Sequence, residues 1–111
     1  MPSYRAVQEI VDVRPGHAPD EVLQAAVAAC VESGYRVEAH DIEVIAGRAR
    51  IWVRYSVPDA AAAQEDAEAW EVARDVADAV RGVAICGVAQ PFRRVGGRWV
   101  RVLRPAHPPA D

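Results

Sequence analysis

The sequence predicts an antiparallel α+β sandwich with both helices on one face of the sheet. Three observations carry that reading. Two segments repeat apolar residues at helical spacing, and each ends on a glycine, Gly34 and Gly82. A two-residue turn signal, Ala46-Gly47, separates two strand-like segments lying between them. Further strand-like segments, rich in β-branched residues, flank the set.

Taken in order, residues 4–13 (YRAVQEIVDV) read as a strand on which Val7, Val11 and Val13 share one face, with Glu9 among them. Pro15-Gly16 marks a turn, and Pro19, Asp20 and Glu21 place a proline and two acids in the first turn of a helix. That helix runs to about Ser33, with Leu23, Ala26, Val27, Cys30 and Val31 as its apolar stripe. Residues 35–57 read as a β-hairpin in which Ile45 pairs with Arg48, Glu43 with Arg50 and Ile42 with Ile51. Tyr35, Val37 and Ala39 have the opposite parity, which requires a β-bulge near His40-Asp41.

Pro58-Asp59 ends the hairpin and is expected to cap a second helix over about residues 60–81. Its buried stripe is Ala69, Val72, Ala73, Val76, Ala77 and Val80. Residues 83–89 (VAICGVA) form a short buried strand bounded by Gln90-Pro91, and a last hairpin turns at Gly96-Gly97. The proline-rich tail, residues 105–111, is expected to be disordered, which leaves residues 1–104 as a single α+β domain. The βαββαβ order with a C-terminal hairpin is the ferredoxin-like two-layer arrangement. It leaves one sheet face without helices, and the candidate residues gather there.

Composition narrows the function classes. At 111 residues, 51% hydrophobic and 26% charged, the chain is globular in type rather than disordered. It has no apolar run of membrane-spanning length, no leader pattern at its start, and only Cys30 and Cys86, too few for a disulfide framework. A cytoplasmic location without a membrane partner is therefore expected. All 13 basic residues are arginine, a bias that GC-rich coding explains more simply than recognition does.

On the third strand, Ile51, Val53, Tyr55 and Val57 point toward the helices, so Arg50, Trp52 and Arg54 point to the uncovered face. The stretch RRVGGRWVRVLRP, residues 93–105, folds about Gly96-Gly97 with Phe92, Arg94, Trp99, Arg101 and Leu103 on one face. Rings interleaved with guanidinium groups suit stacking on bases, cation–π pairing or a subunit contact. Charge layout separates these. Residues 59–78 carry seven acids and one arginine, net −6, while residues 79–110 carry six arginines and no acid, net +6. Such blocks suit pairing within or between subunits, and the total charge of −3 does not favour a polyanion.

The expected protein is thus a non-catalytic binding or assembly module, a homodimer formed through the uncovered face and the arginine ribbon. Its binding residues are Arg50, Trp52, Arg54, Phe92, Arg94, Trp99 and Arg101; no spacing points to a metal, a cofactor or a catalytic set. One alternative is a single-stranded nucleic-acid binder using Trp52, Trp99 and the arginines, although ARIWVRYSV lacks the aromatic pattern of RNA-recognition sheets. The other is a cofactor-free enzyme of the dimeric α+β-barrel type, with a pocket near His40 and Tyr35 or Tyr55. The Arg14-Pro-Gly-His17 turn reads as an ordinary strand-to-helix connection, because Asp20 and Glu21 would repel an anion there.

Overall fold

The computed structural model describes residues 1–104. Seven elements follow one another: β1 (Ser3–Val13), α1 (Pro19–Glu32), β2 (Arg36–Ile45), β3 (Arg48–Ser56), α2 (Ala62–Arg81), β4 (Ala84–Val95) and β5 (Arg98–Arg101). The strands form one antiparallel sheet in the order β2-β3-β1-β4-β5. This is the ferredoxin-like sandwich with an added C-terminal hairpin, as the sequence predicts. The expected disorder of the tail concerns residues outside the described ones.

Local chemistry explains the ends of α1. Pro19 opens the helix, and the Glu21 carboxylate accepts from the Ala18 amide at 3.0 Å. At the other end Gly34 takes φ +89°, and the Gly34 and Tyr35 amides donate back to the Val31 and Cys30 carbonyls. That double bond set is a Schellman closure, which needs a residue without a Cβ at Gly34. The cap predicted for α2 differs. Asp59 instead meets the N-terminal ammonium at 2.9 Å, and Glu65 reaches back to the Ala60 amide at 2.9 Å. Glu65 thus ties the segment before the helix to its first turn, and the N-cap residue Ala61 makes no side-chain cap bond.

The core lies between the sheet and the helices. Tyr4 and Ala6 of β1, Ile51, Val53 and Tyr55 of β3, and the whole predicted stripe of α2 are buried. Each buried valine of that stripe contributes roughly 1.5–3 kcal/mol. Trp70 joins them, and α1 faces the core with Val22, Ala26, Ala29 and Cys30. Leu23 and Val27 are only half-buried and Val31 is 57% exposed, so the predicted stripe of α1 is split between the core and its outer flank.

Register agrees with the sequence near both turns. Ile45 pairs with Arg48, Glu43 with Arg50 and Ile42 with Ile51; the bulge lies at Glu38, between Val37 and Ala39, two residues before the expected place. The last hairpin pairs Arg94 with Trp99 and Phe92 with Arg101. The predicted break at Gln90-Pro91 is absent: β4 continues through Pro91 to Val95. Pro91 fits because its carbonyl accepts from Val102 at 3.0 Å, where β5 has already ended, so its missing N–H falls at the end of that ladder. β1 turns the face opposite Val7 to the core. Its buried residues have even numbers, Tyr4, Ala6 and Gln8, and its valines lie on the other side or at irregular positions.

Candidate functional site on the outer sheet face

The face without helices is built from alternate residues of all five strands. Arg5 and Val7 come from β1, Arg50, Trp52 and Arg54 from β3, and Phe92, Arg94, Trp99 and Arg101 from β4 and β5. The registers Arg54↔Arg5 and Arg5↔Phe92 put Arg5 at the centre. Its guanidinium carbon lies 4.1 Å from the centroid of the Trp52 ring and 4.6 Å from that of Trp99. Arg94 and Arg54 approach the same Trp99 ring at 5.1 Å and 5.3 Å. Two tryptophans therefore clasp one guanidinium, and two more crowd the outer ring.

Such contacts contribute about 0.5–2 kcal/mol each, depending on desolvation. They leave Arg5 with an electrostatic deficit. Arg5 Nε and Trp52 Nε1 are both buried with no hydrogen-bond partner among the described residues. Burial lowers the Arg5 pKa, and the like charges of Arg54, Arg94 and Arg50 lower it further, opposed by Glu43. A small hollow of about 160 Å³ lies over this centre, lined by Arg5, Glu43, Arg50, Trp52, Phe92 and Trp99 among others.

The structure thus gathers six of the seven predicted residues around one centre. Arg101 stands apart: it donates to Gln90 Oε1 at 3.2 Å and lines the neighbouring hollow with Trp70 and Leu103. Sequence reading missed Arg5 itself. Its signal was its parity with Val7, two places along β1, which becomes informative only when β3 and β4 are known to flank it.

Charge on this face is sorted by strand. At the β2 side, Glu38 accepts from Arg54 at 3.2 Å and from the Ser3 hydroxyl at 2.7 Å, and Glu43 meets Arg50 at 3.2 Å. Asp41, paired with Trp52 across the strands, accepts only from its own neighbour, the Ile42 amide. At the other side, neither Arg94 nor Arg101 has a carboxylate partner among the described residues. On this face β2 carries three carboxylates and Arg36, whereas β4 and β5 carry arginines and no carboxylate.

Other candidate groups are placed elsewhere. His40 and Asp41 lie on opposite faces of β2, and His40 lines a groove beside α1. The Tyr55 hydroxyl donates to the Ala69 carbonyl at 2.8 Å, and that of Tyr35 donates to Glu68. Arg14 donates to the Arg81 carbonyl at 2.7 Å, which closes the connection onto the end of α2. Burial pushes the Cys30 thiol up to about 11, so it is inert at neutral pH. Among the described residues no cluster of His, Cys, Asp and Glu could hold a metal ion, and no helix is long and apolar enough to cross a membrane.

The chain matches no protein-family model, no curated protein and no solved structure, so the functional reading rests on this geometry.

Proposed function

We propose that the protein is a small assembly module without chemistry of its own, pairing with a second copy through the outer sheet face and the arginine ribbon. The observation that supports it most is the layout of the uncovered face, with Trp52, Trp99 and Phe92 at its centre, Arg94 and Arg101 without carboxylate partners among the described residues at one side, and Glu38 and Asp41 at the other. A second copy can set the acids of one side against the arginines of the other. A two-fold axis parallel to the strands lays β5 of one copy over β2 of the other. Arg94 and Arg101 then meet Glu38 and Asp41 of the second copy, twice over. Tryptophan and arginine are favoured anchors at such contacts, and the sorted charge sets their orientation. A cytoplasmic setting fits the two free thiols.

A second reading has one observation in its favour. Trp52, Trp99, Phe92 and four arginines share one surface, as a platform for single-stranded nucleic acid requires. It ranks below assembly because Arg5 already occupies a face of each tryptophan ring and the net charge is −3.

Light scattering at about 0.05 M and about 0.5 M salt tests the first reading, since the screening length shrinks severalfold between them. The expected result is a dimer at low salt that weakens at high salt, and a monomer for Trp52→Glu at both. A parent protein that is monomeric in both solutions overturns it. A single-stranded oligonucleotide of about 15 residues is then the next probe.

A further inference from the structure

On the helix side of the sheet, the outer flank of α1 and the edge strand β2 enclose an open groove of about 810 Å³. Leu23, Val27, Ala28 and Val31 form its helical wall, and His40 and Ile42 form its floor. This is the half of the predicted α1 stripe that the core does not use. Apolar side chains stay in contact with water here: Val31 is 57% exposed, Ile42 48% and, one step further along β2, Val44 72%. Exposed apolar surface concentrated at one place on a small protein marks a contact site.

β2 is the last strand of the sheet, paired only with β3, so among the described residues its outer edge has no strand partner. A ten-residue edge of this kind is a template for one more strand. A chain added there has its side chains sorted by the pleat. Alternate residues enter the groove beneath α1, against Leu23, Val27 and Ile42. The intervening ones emerge on the opposite face, beside Asp41 and Glu43.

We infer that the α1/β2 groove binds an extended peptide by strand addition, with apolar side chains at alternate positions and arginine or lysine between them. In the register that brings the two Ile42 side chains opposite each other, charge disfavours a second copy. Antiparallel pairing of β2 with another β2, centred on Ile42, sets Asp41 against Glu43 twice, and like charges directly opposite are unfavourable. β5 of another copy is four residues long, too short to span β2, and it ends where the Val102 amide turns back to Pro91. A separate segment of six residues or so, about 20 Å when extended, matches both groove and edge.

The probe is a capped peptide of about eight residues alternating valine and arginine, titrated by fluorescence polarisation. Controls are a peptide of the same composition with its valines and arginines in blocks, and one alternating valine and glutamate. The expected result is saturable binding of the first peptide alone, weakened roughly tenfold or more by Val31→Asp and by Ile42→Lys. Amides of β2 should also gain hydrogen-exchange protection on binding, as a new ladder requires. Equal binding of the block or glutamate peptide, no effect of Val31→Asp, or no protection along β2 overturns the inference. A fall in the parent's molar mass on Val31→Asp also overturns it, by assigning the groove to self-association. Val31 lies on the helix side of the sheet, away from the outer-face contact, so an effect of Val31→Asp on peptide binding reports on the groove and not on the assembly proposed there.

Discussion

Arg93 Nη2 stands 2.8 Å from Glu65 Oε1, and this ion pair fastens the arginine-rich ribbon to the acidic helix. The same guanidinium donates to Asp66 at 3.1 Å and to the Tyr4 hydroxyl at 2.7 Å, and Tyr4 donates in turn to Asp66 at 2.6 Å. Glu65 is only 5% exposed, so its charge depends on these partners. Burial raises the Tyr4 pKa, and its bond to Asp66 raises it further, which keeps the hydroxyl a donor. Burial works against the charge of Arg93, but the bonds to Glu65 and Asp66 outweigh it and the pKa is raised. The two opposed charge blocks of the sequence therefore meet within the chain at one arginine.

Arg93→Met retains the aliphatic stem and removes three charge-assisted or polar bonds. It should lower the melting temperature by roughly 5–10 °C. Scanning calorimetry measures this, and an unchanged melting temperature would show that the network does not contribute.

The Ala60 amide and then Arg93 hold the Glu65 carboxyl below its ordinary value of 4.5. The unfolded chain therefore takes up this proton first on acidification. The stability it contributes is complete above about pH 4.5 and is lost as pH falls through the lower folded-state value. Denaturant midpoints between about pH 6 and about pH 3 should fall less steeply for Glu65→Gln than for the parent. Parallel curves would contradict the assignment.

Arg5→Ala removes the clasped guanidinium and opens the inner faces of Trp52 and Trp99. Tryptophan emission should shift to the red and acrylamide quenching should rise, with a stability loss of about 1–2 kcal/mol. Trp70 is 7% exposed at the opposite layer and serves as the constant background. Unaltered emission would mean that the rings do not depend on Arg5.

The turn between β2 and β3 places Ala46 at φ +53° and Gly47 at φ +76°. A left-handed alanine costs about 1–2 kcal/mol, whereas asparagine tolerates the conformation. Ala46→Asn should stabilise the fold by about 0.5–1 kcal/mol without altering oligomeric state, as urea midpoints would report.

These elements also show what could be read in advance. The hairpin register was legible because a short turn fixes the pairing and the pairs it creates are complementary, Glu43 with Arg50 and Ile42 with Ile51. The stripe of α2 was legible because every member is apolar and helically spaced. The core face of β1 was not legible because Gln8 occupies a core position. Its Nε2 donates to the Gly87 carbonyl at 2.8 Å beside a bulge in β4, a demand set by a strand nearly eighty residues away. Pro91 looked like a boundary because nothing local reveals that β5 ends opposite it. Arg5 was hidden for the same reason: its neighbours Trp52 and Trp99 come from two other strands. Pairings across the sheet, more than propensities, separate what was legible from what was not.

The central claim is that the acidic β2 edge of one copy lies over the basic β5 edge of another, and mixing two monomers tests it most directly. One variant carries Arg94→Glu and Arg101→Glu, and the other carries Glu38→Arg and Asp41→Arg. Each alone sets like charge against like in both halves of the two-fold contact, so each should have the mass of a monomer by light scattering at about 0.05 M salt. Mixed in equal amounts they restore opposite charges in both halves, and the mass should rise to that of a dimer. Dimers formed by either variant alone, or a mixture that stays monomeric beside a dimeric parent, would contradict the account.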